Sequence, residues 1–302
     1  MEVDMLLKPF LQPGMYHIGM NAMALALGTA YLWITGPKRR AIPESAPVSN
    51  RQKALFMTGL CLCYLALGSP INLIGDELFS VHMFQQSLLY LIMPPLILLG
   101  IPDWLYRWGF DQVKGVWRGL FTLWSRPLLS LLVFNGLFSL YHVPRVFDTI
   151  MGSAFYHALS HGLLTLSAFL MWWPVTAPLP EQERLSPLRK MAYICAAGVL
   201  LTPACALIIF ADHLLFTSYS GGERLFPILS PRDDQQMGGV IMKILQEAVY
   251  GVALAGVFFQ WVRREKRNET YGIPTDHPSP STTGEANWNP PSVNRPGEEK
   301  GG

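Results

Sequence analysis

Seven windows of mainly apolar residues, each long enough at about 20 residues to cross a hydrocarbon core, dominate this chain. They fall at 15–35, 54–74, 81–101, 127–143, 153–174, 191–211 and 237–262. Segments this apolar and this long satisfy their backbone polar groups as helices. The expected fold class is therefore all-α: a polytopic bundle of seven transmembrane helices occupying residues 15–267. The first window does not read as a cleavable leader, because Glu2 and Asp4 precede it and Lys38, Arg39 and Arg40 follow it.

Lysine and arginine are concentrated in alternate connections, which orients the bundle. One set holds Lys38, Arg39, Arg40, Arg51 and Lys53, then Arg107, Lys114, Arg118 and Arg126, then Arg184, Arg189 and Lys190, then Arg263, Arg264, Lys266 and Arg267. The opposite set holds only Lys8, Arg145, Arg224 and Arg232. The N-terminus is accordingly expected outside and the C-terminus in the cytoplasm. Only 15% of residues are charged, against about 25% in soluble domains. The net charge of +2, with no basic run interleaved with aromatics away from membrane-flanking loops, gives no footprint for nucleic acid.

Outside the spans, residues 103–126 mix Trp104, Trp108, Trp117 and Trp124 with Arg and Lys, as interfacial amphipathic segments do. Residues 1–14 form an outer N-terminal segment, and 212–236 form the longest outer connection. From residue 268 to 302 the chain turns to Pro, Ser, Thr, Asn and Gly, a composition expected to give a disordered cytoplasmic tail.

Histidine placement carries the functional signal. His17, His82, His142, His157, His161 and His213 all fall near the outer ends of their spans. Ionisable residues within spans are functional candidates by default. His157 and His161 are four apart, so their rings leave one helix face a turn apart, a spacing that suits a shared metal ion. Met83, Met237 and Met242 lie at similar depth. Thioether and imidazole together suit Cu(I), and imidazole alone also suits zinc or haem iron. The candidate metal ligands are thus His157, His161, His82, His142, Met83, Met237 and Met242, with Gln85 and Asp234 as outer partners. Against this stands a plain reading of headgroup contacts and ordinary packing.

Lys243 and Glu247 stand at i and i+4 inside the last span, the spacing of an intramembrane ion pair that faces the bundle. A structural staple is the plain reading, and an ion path is its rival. Cys61 and Cys63 point to nearly opposite faces, and Cys195 and Cys205 are almost three turns apart, so the cysteines read as packing residues. Pro94, Pro95 and Pro203 should bend their helices and free carbonyls, opening room below the histidine layer. Phosphate-binding loops, nucleophile elbows, zinc-protease motifs and haem-attachment motifs are absent from the sequence.

Three stretches resemble the CtaG family of multi-spanning bacterial cytochrome c oxidase assembly factors. The first is His82-Met83-Phe84-Gln85, running into Met93-Pro94-Pro95-Leu96 and Leu99-Gly100-Ile101-Pro102. The second runs from Tyr156-His157 through His161 to Met171-Trp172-Trp173-Pro174. The third is Asp234-Gln235-Gln236-Met237-Gly238-Gly239 continuing to Met242. Two departures are plain: much of the family carries a second histidine where this chain has Gln86, and a tryptophan where it has Lys243. The resemblance implies respiratory-chain biogenesis in the bacterial plasma membrane, without catalysis. Its partners would be the lipid bilayer, cytochrome c oxidase subunits and other copper-handling assembly proteins. Joined to the histidine pattern, it suggests a chaperone-like factor that delivers copper. The same residues admit a haem-binding redox membrane protein, a metal-free scaffold or an ion-path protein.

Overall fold

The computed structural model describes residues 16–113, 115–220 and 229–270, with side chains to residue 267. The outer N-terminal segment lies outside this range, as does the tail beyond residue 270 and part of the outer connection. The described residues form helices and turns, with no strand among them. One compact unit extends to Val262, and the second unit begins at Arg263.

The helices run in chain order: α1 (Ile18–Thr35), α2 (Asn50–Leu67), α3 (Ile71–Glu77) and α4 (Phe79–Gly100). There follow α5 (Asp103–Gln112), α6 (Val116–Trp124), α7 (Pro127–Tyr141), α8 (Pro144–Met151), α9 (Ala154–Thr176), α10 (Pro187–Ile209) and α11 (Pro231–Thr270). Five of these are long and apolar enough to cross a membrane alone, and two bent pairs raise the number to as many as seven. The second expected span departs from a straight rod. It starts four residues early, breaks at Gly68-Ser69-Pro70 and turns by 43° into α3. Proline supplies no N–H for the ladder across that break. The expected interfacial stretch forms α5 and α6, and α6 meets α7 at 78° with Pro127 on the first turn of α7. Val116, Trp117, Leu120 and Leu123 remain exposed on α6, as in a helix that lies along the membrane plane.

The central helix is α4, whose Phe79, His82, Met83, Gln86, Leu89, Tyr90 and Leu91 are fully buried. It packs on α2 through facing glycines: Gly59 meets Ile97, and Gly100 meets the backbone of Phe56. On its other sides stand α9 and, through Gly238 against Phe79 and Met83, α11. The outer end of α4 is capped across the bundle. Asp234, fully buried on α11, accepts hydrogen bonds from the backbone N–H of Phe79 at 2.8 Å and of Ser80 at 3.3 Å. A carboxylate on these orphan donors also meets the positive end of the helix dipole.

Leu88–Ile92 forms a π turn just ahead of Pro94. Pro94 has no N–H to offer the Tyr90 carbonyl, and the indole N–H of Trp172 takes that place at 3.2 Å. The proline thus frees a carbonyl as expected, but it opens no space. Tyr90, Leu91, Met93, Met171 and Trp172 fill the region below the histidines, each at most 2% exposed.

Candidate functional site

Three of the six membrane histidines converge. His82 on α4 has its ring centroid 6.1 Å from that of His157 and 6.1 Å from that of His161, both on α9. The His157 and His161 Nε2 atoms lie 3.0 Å apart, so the i, i+4 spacing does aim both rings at one point. Four-apart spacing alone determines this pair, whereas His82 arrives only because α4 packs against α9.

Hydrogen bonds hold each ring. The His161 Nδ1 and the Tyr90 hydroxyl are 2.8 Å apart in a fully buried contact. The His82 Nε2 meets the Tyr141 hydroxyl at 3.0 Å and receives a bond from the Gln86 amide at 2.9 Å. These contacts leave the His82 Nδ1 buried and without a partner among the described residues. His157 is half-buried, the most accessible of the three.

The remaining candidates take other positions. His142 is not part of the cluster: its Nδ1 donates to the Phe138 carbonyl one turn back at 2.8 Å, and its ring lies on the Phe138 ring. His17 and His213 are exposed at the rim. Met83 and Met242 are buried, Met83 against Gly238, while Met237 is 45% exposed. Gln85 is not an outer partner of the histidines, since its amide donates to the Ala66 carbonyl and to Asn72, both at 2.8 Å. Asp234 caps α4 and reaches no imidazole among its hydrogen bonds. Among the described residues no group of three His, Cys, Asp or Glu side chains stands close enough to enclose a metal ion. The geometry therefore reduces the broad His/Met set to a pair with a third imidazole beside it.

Sequence reasoning passed over Gln86, Tyr90 and Tyr141. Gln86, one of the two departures from the family pattern, contacts His82 directly. A signal was present: His82, Gln86 and Tyr90 recur every four residues, a polar stripe along one helix face.

An aromatic layer covers the cluster. The Phe147 ring stands edge-on to His82 at 5.6 Å, and Tyr219 lies 6.5 Å from it. Phe216 stacks on Phe79 at 4.7 Å. Asp148 on α8 pins this layer by accepting four hydrogen bonds, from the backbone N–H and hydroxyl of both Thr217 and Ser218. Burial pushes the Asp148 carboxyl up, but those bonds outweigh it and hold the group below its ordinary value. A lowered folded value means the clamp contributes fully above the unfolded pKa of about 4 and is lost as pH falls through the lower folded value. Amide exchange at Thr217 and Ser218 should therefore accelerate in acid, after correction for intrinsic rates. Asp148→Asn should reproduce much of that at pH 7, about fivefold for ~1 kcal/mol. Equal protection in both proteins would remove the clamp from consideration.

The intramembrane pair forms as its spacing demands, with Lys243 Nζ 2.6 Å from Glu247. Lys243 also donates to the Thr202 hydroxyl on α10 at 2.7 Å. Its expected burial is only half met: Lys243 is 28% exposed, whereas the Glu247 side chain is 63% exposed.

Comparisons with known proteins bear on the whole bundle. The chain is 22% identical over 261 residues to an uncharacterised protein of Mycobacterium leprae, covering 82% of this chain and 39% of that protein. It is 24% identical over 276 residues to uncharacterised proteins of Mycobacterium bovis and Mycobacterium tuberculosis, covering 83% of this chain and 39% of each. It thus spans about two fifths of the length of these relatives. No solved structure matches it. The family model for the cytochrome c oxidase caa3 assembly factor matches residues 29–264, most of the chain and nearly all of the helical bundle, so this multi-pass bacterial membrane protein belongs to the Caa3_CtaG family of oxidase assembly factors.

Proposed function

We propose that this protein aids oxidase assembly by holding copper transiently between His157 and His161, with His82 as a third imidazole, and passing it to an oxidase subunit. The reading rests on one observation: two Nε2 atoms 3.0 Å apart, with a third ring 6.1 Å from both. Metal–imidazole bonds of about 2.0–2.1 Å place two ligand nitrogens roughly 3.3–4.1 Å apart. A small outward movement of the half-buried His157 supplies the difference. Imidazole suits copper, and a small ligand set near one membrane face favours release over storage. Tyr90 and Tyr141 then orient the ligand rings, as outer partners of metal-bound histidines do. Met83, Met237 and Met242 are left out of the ligand set.

The test is an anaerobic Cu(I) competition titration of purified protein in detergent, beside oxidase activity in membranes of the producing bacterium. His157→Ala and His161→Ala should each weaken Cu(I) binding by about 100-fold or more, beyond the 10–100-fold typical of outer partners. Oxidase activity should fall while each variant still accumulates. Wild-type protein that fails to bind Cu(I), or variants with full oxidase activity, would refute copper handling. A Soret band in the purified protein would transfer the site to haem.

A further inference from the structure

Glu247 presents a charge where lipid would otherwise be. It lies ten residues from one end of the 237–262 window and fifteen from the other, about 15 and 22 Å along the helix. Its side chain is 63% exposed at that depth. One carboxylate oxygen takes the Lys243 ammonium; among the described residues no donor reaches the other. Lys243, in contrast, is drawn inward by Thr202. An outward-facing carboxylate at mid-membrane is costly unless another protein covers it.

The surface around it has the shape for such a cover. Val240, Ile244, Glu247, Ala248, Gly251, Ala255 and Phe258 are all exposed and share one face of α11 by helical spacing. The middle of this face is small, and a Cβ added to Gly251 would meet nothing within 4 Å. Bulkier side chains rise at both ends, Ile244 at 63% and Phe258 at 43% exposure. Small residues let two membrane helices approach closely, and polar groups join them.

We infer that this face of α11 docks a transmembrane helix of an oxidase subunit, which presents a hydrogen-bond donor to the free oxygen of Glu247. The inference rests on the assembly role but not on copper. A second copy of this chain fits poorly. Two copies inserted in the same direction, related by a twofold axis, would bring one Glu247 towards the other, like charge against like. A donor-bearing helix of another protein relieves the exposed carboxylate instead.

The experiment places a photo-reactive benzophenone residue at Ile244, with Leu128 on α7, 74% exposed, as the control position. Both are irradiated in native membranes that are assembling oxidase. The expected product is an adduct between position 244 and a transmembrane segment of an oxidase subunit, absent at position 128. Glu247→Gln should lower its yield about threefold to twentyfold, the range that intramembrane hydrogen bonds support. Gly251→Leu should abolish it by blocking close approach, and it leaves the isolated protein sterically undisturbed. Unchanged Cu(I) titration of both variants verifies that the bundle and its histidines are intact. Adducts with lipid alone, with a second copy or with a protein outside the oxidase would overturn the proposal, as would full yield in both variants. Normal oxidase assembly in cells lacking the protein would refute the assembly role itself; dependence on the protein without the adduct would refute only the docking face.

Discussion

Asp234→Ala should destabilise the bundle by about 3 kcal/mol, because it strips the cap from a helix it does not belong to. The N–H groups of Phe79 and Ser80 are held by that carboxylate and by no other acceptor among the described residues. Losing an N-cap costs about 0.5–2 kcal/mol, and each buried donor left without an acceptor adds about 1–3 kcal/mol. His82 stands one turn below, so fraying of the first turn also loosens the ring from Tyr141 and Gln86. Thermal unfolding in detergent, followed by tryptophan fluorescence, should show a lower midpoint. Cu(I) affinity should fall with it if His82 contributes. Asp234→Asn retains an acceptor and should fall between. An unchanged midpoint for the alanine variant would mean that the cap does not hold the helix.

Gly100→Val should prevent a stable bundle from forming. A Cβ at this position would lie 2.5 Å from the backbone nitrogen of Phe56 and 2.7 Å from its Cα. Backbone cannot rotate aside as a side chain does, and α2 is held close from its own side as well, where a Cβ on Gly59 would meet Ile97 at 2.7 Å. The Gly100 carbonyl also accepts the Tyr31 hydroxyl at 2.8 Å, so displacing it disturbs α1. Overpacking costs about 1–3 kcal/mol when side chains yield, and a backbone clash exceeds that range. The yield of monodisperse protein on size exclusion should collapse. Gly109→Val on α5, where an added Cβ meets nothing within 4 Å, should behave as wild type. Equal yields would show that α2 and α4 can separate without loss.

Much of this architecture was legible in the chain. Hydrocarbon thickness imposes a length on apolar windows, and the third, fifth and sixth windows match α4, α9 and α10 to within a few residues. The second and fourth windows were the exceptions, each reaching span length only as a bent pair, although Gly68-Ser69-Pro70 signals the first of these breaks in the sequence. The His157–His161 pair was legible for the same reason: its geometry is local, set by 3.6 residues per turn. So was the Lys243–Glu247 contact.

Glutamine shows where local reasoning ends. Gln85 and Gln86 are neighbours, yet helix rotation separates them by about 100°, so only one faces the imidazoles. Helical periodicity says that they diverge; which of them faces α9 and α7 is decided by how α4 packs. The answer reversed the expected roles, with Gln85 tied to Ala66 and Asn72 and Gln86 tied to His82. His142 is the same lesson in another place: near an outer span end in the sequence as His82 is, its ring bonds the Phe138 carbonyl one turn back on its own helix.

Sequence by itself therefore determined that the chain crosses a membrane repeatedly as helices, which residues share a helical face, and which family its motifs belong to. These follow from hydrocarbon thickness, helical periodicity and short motifs, all of them local in the chain. Tertiary structure alone decided that His82 joins His157 and His161, that Asp234 caps a helix 155 residues away in sequence, and that Glu247 faces outward. Those outcomes depend on the rotation and order of helices in the bundle, which arise from packing between distant residues and leave no periodic trace in the chain.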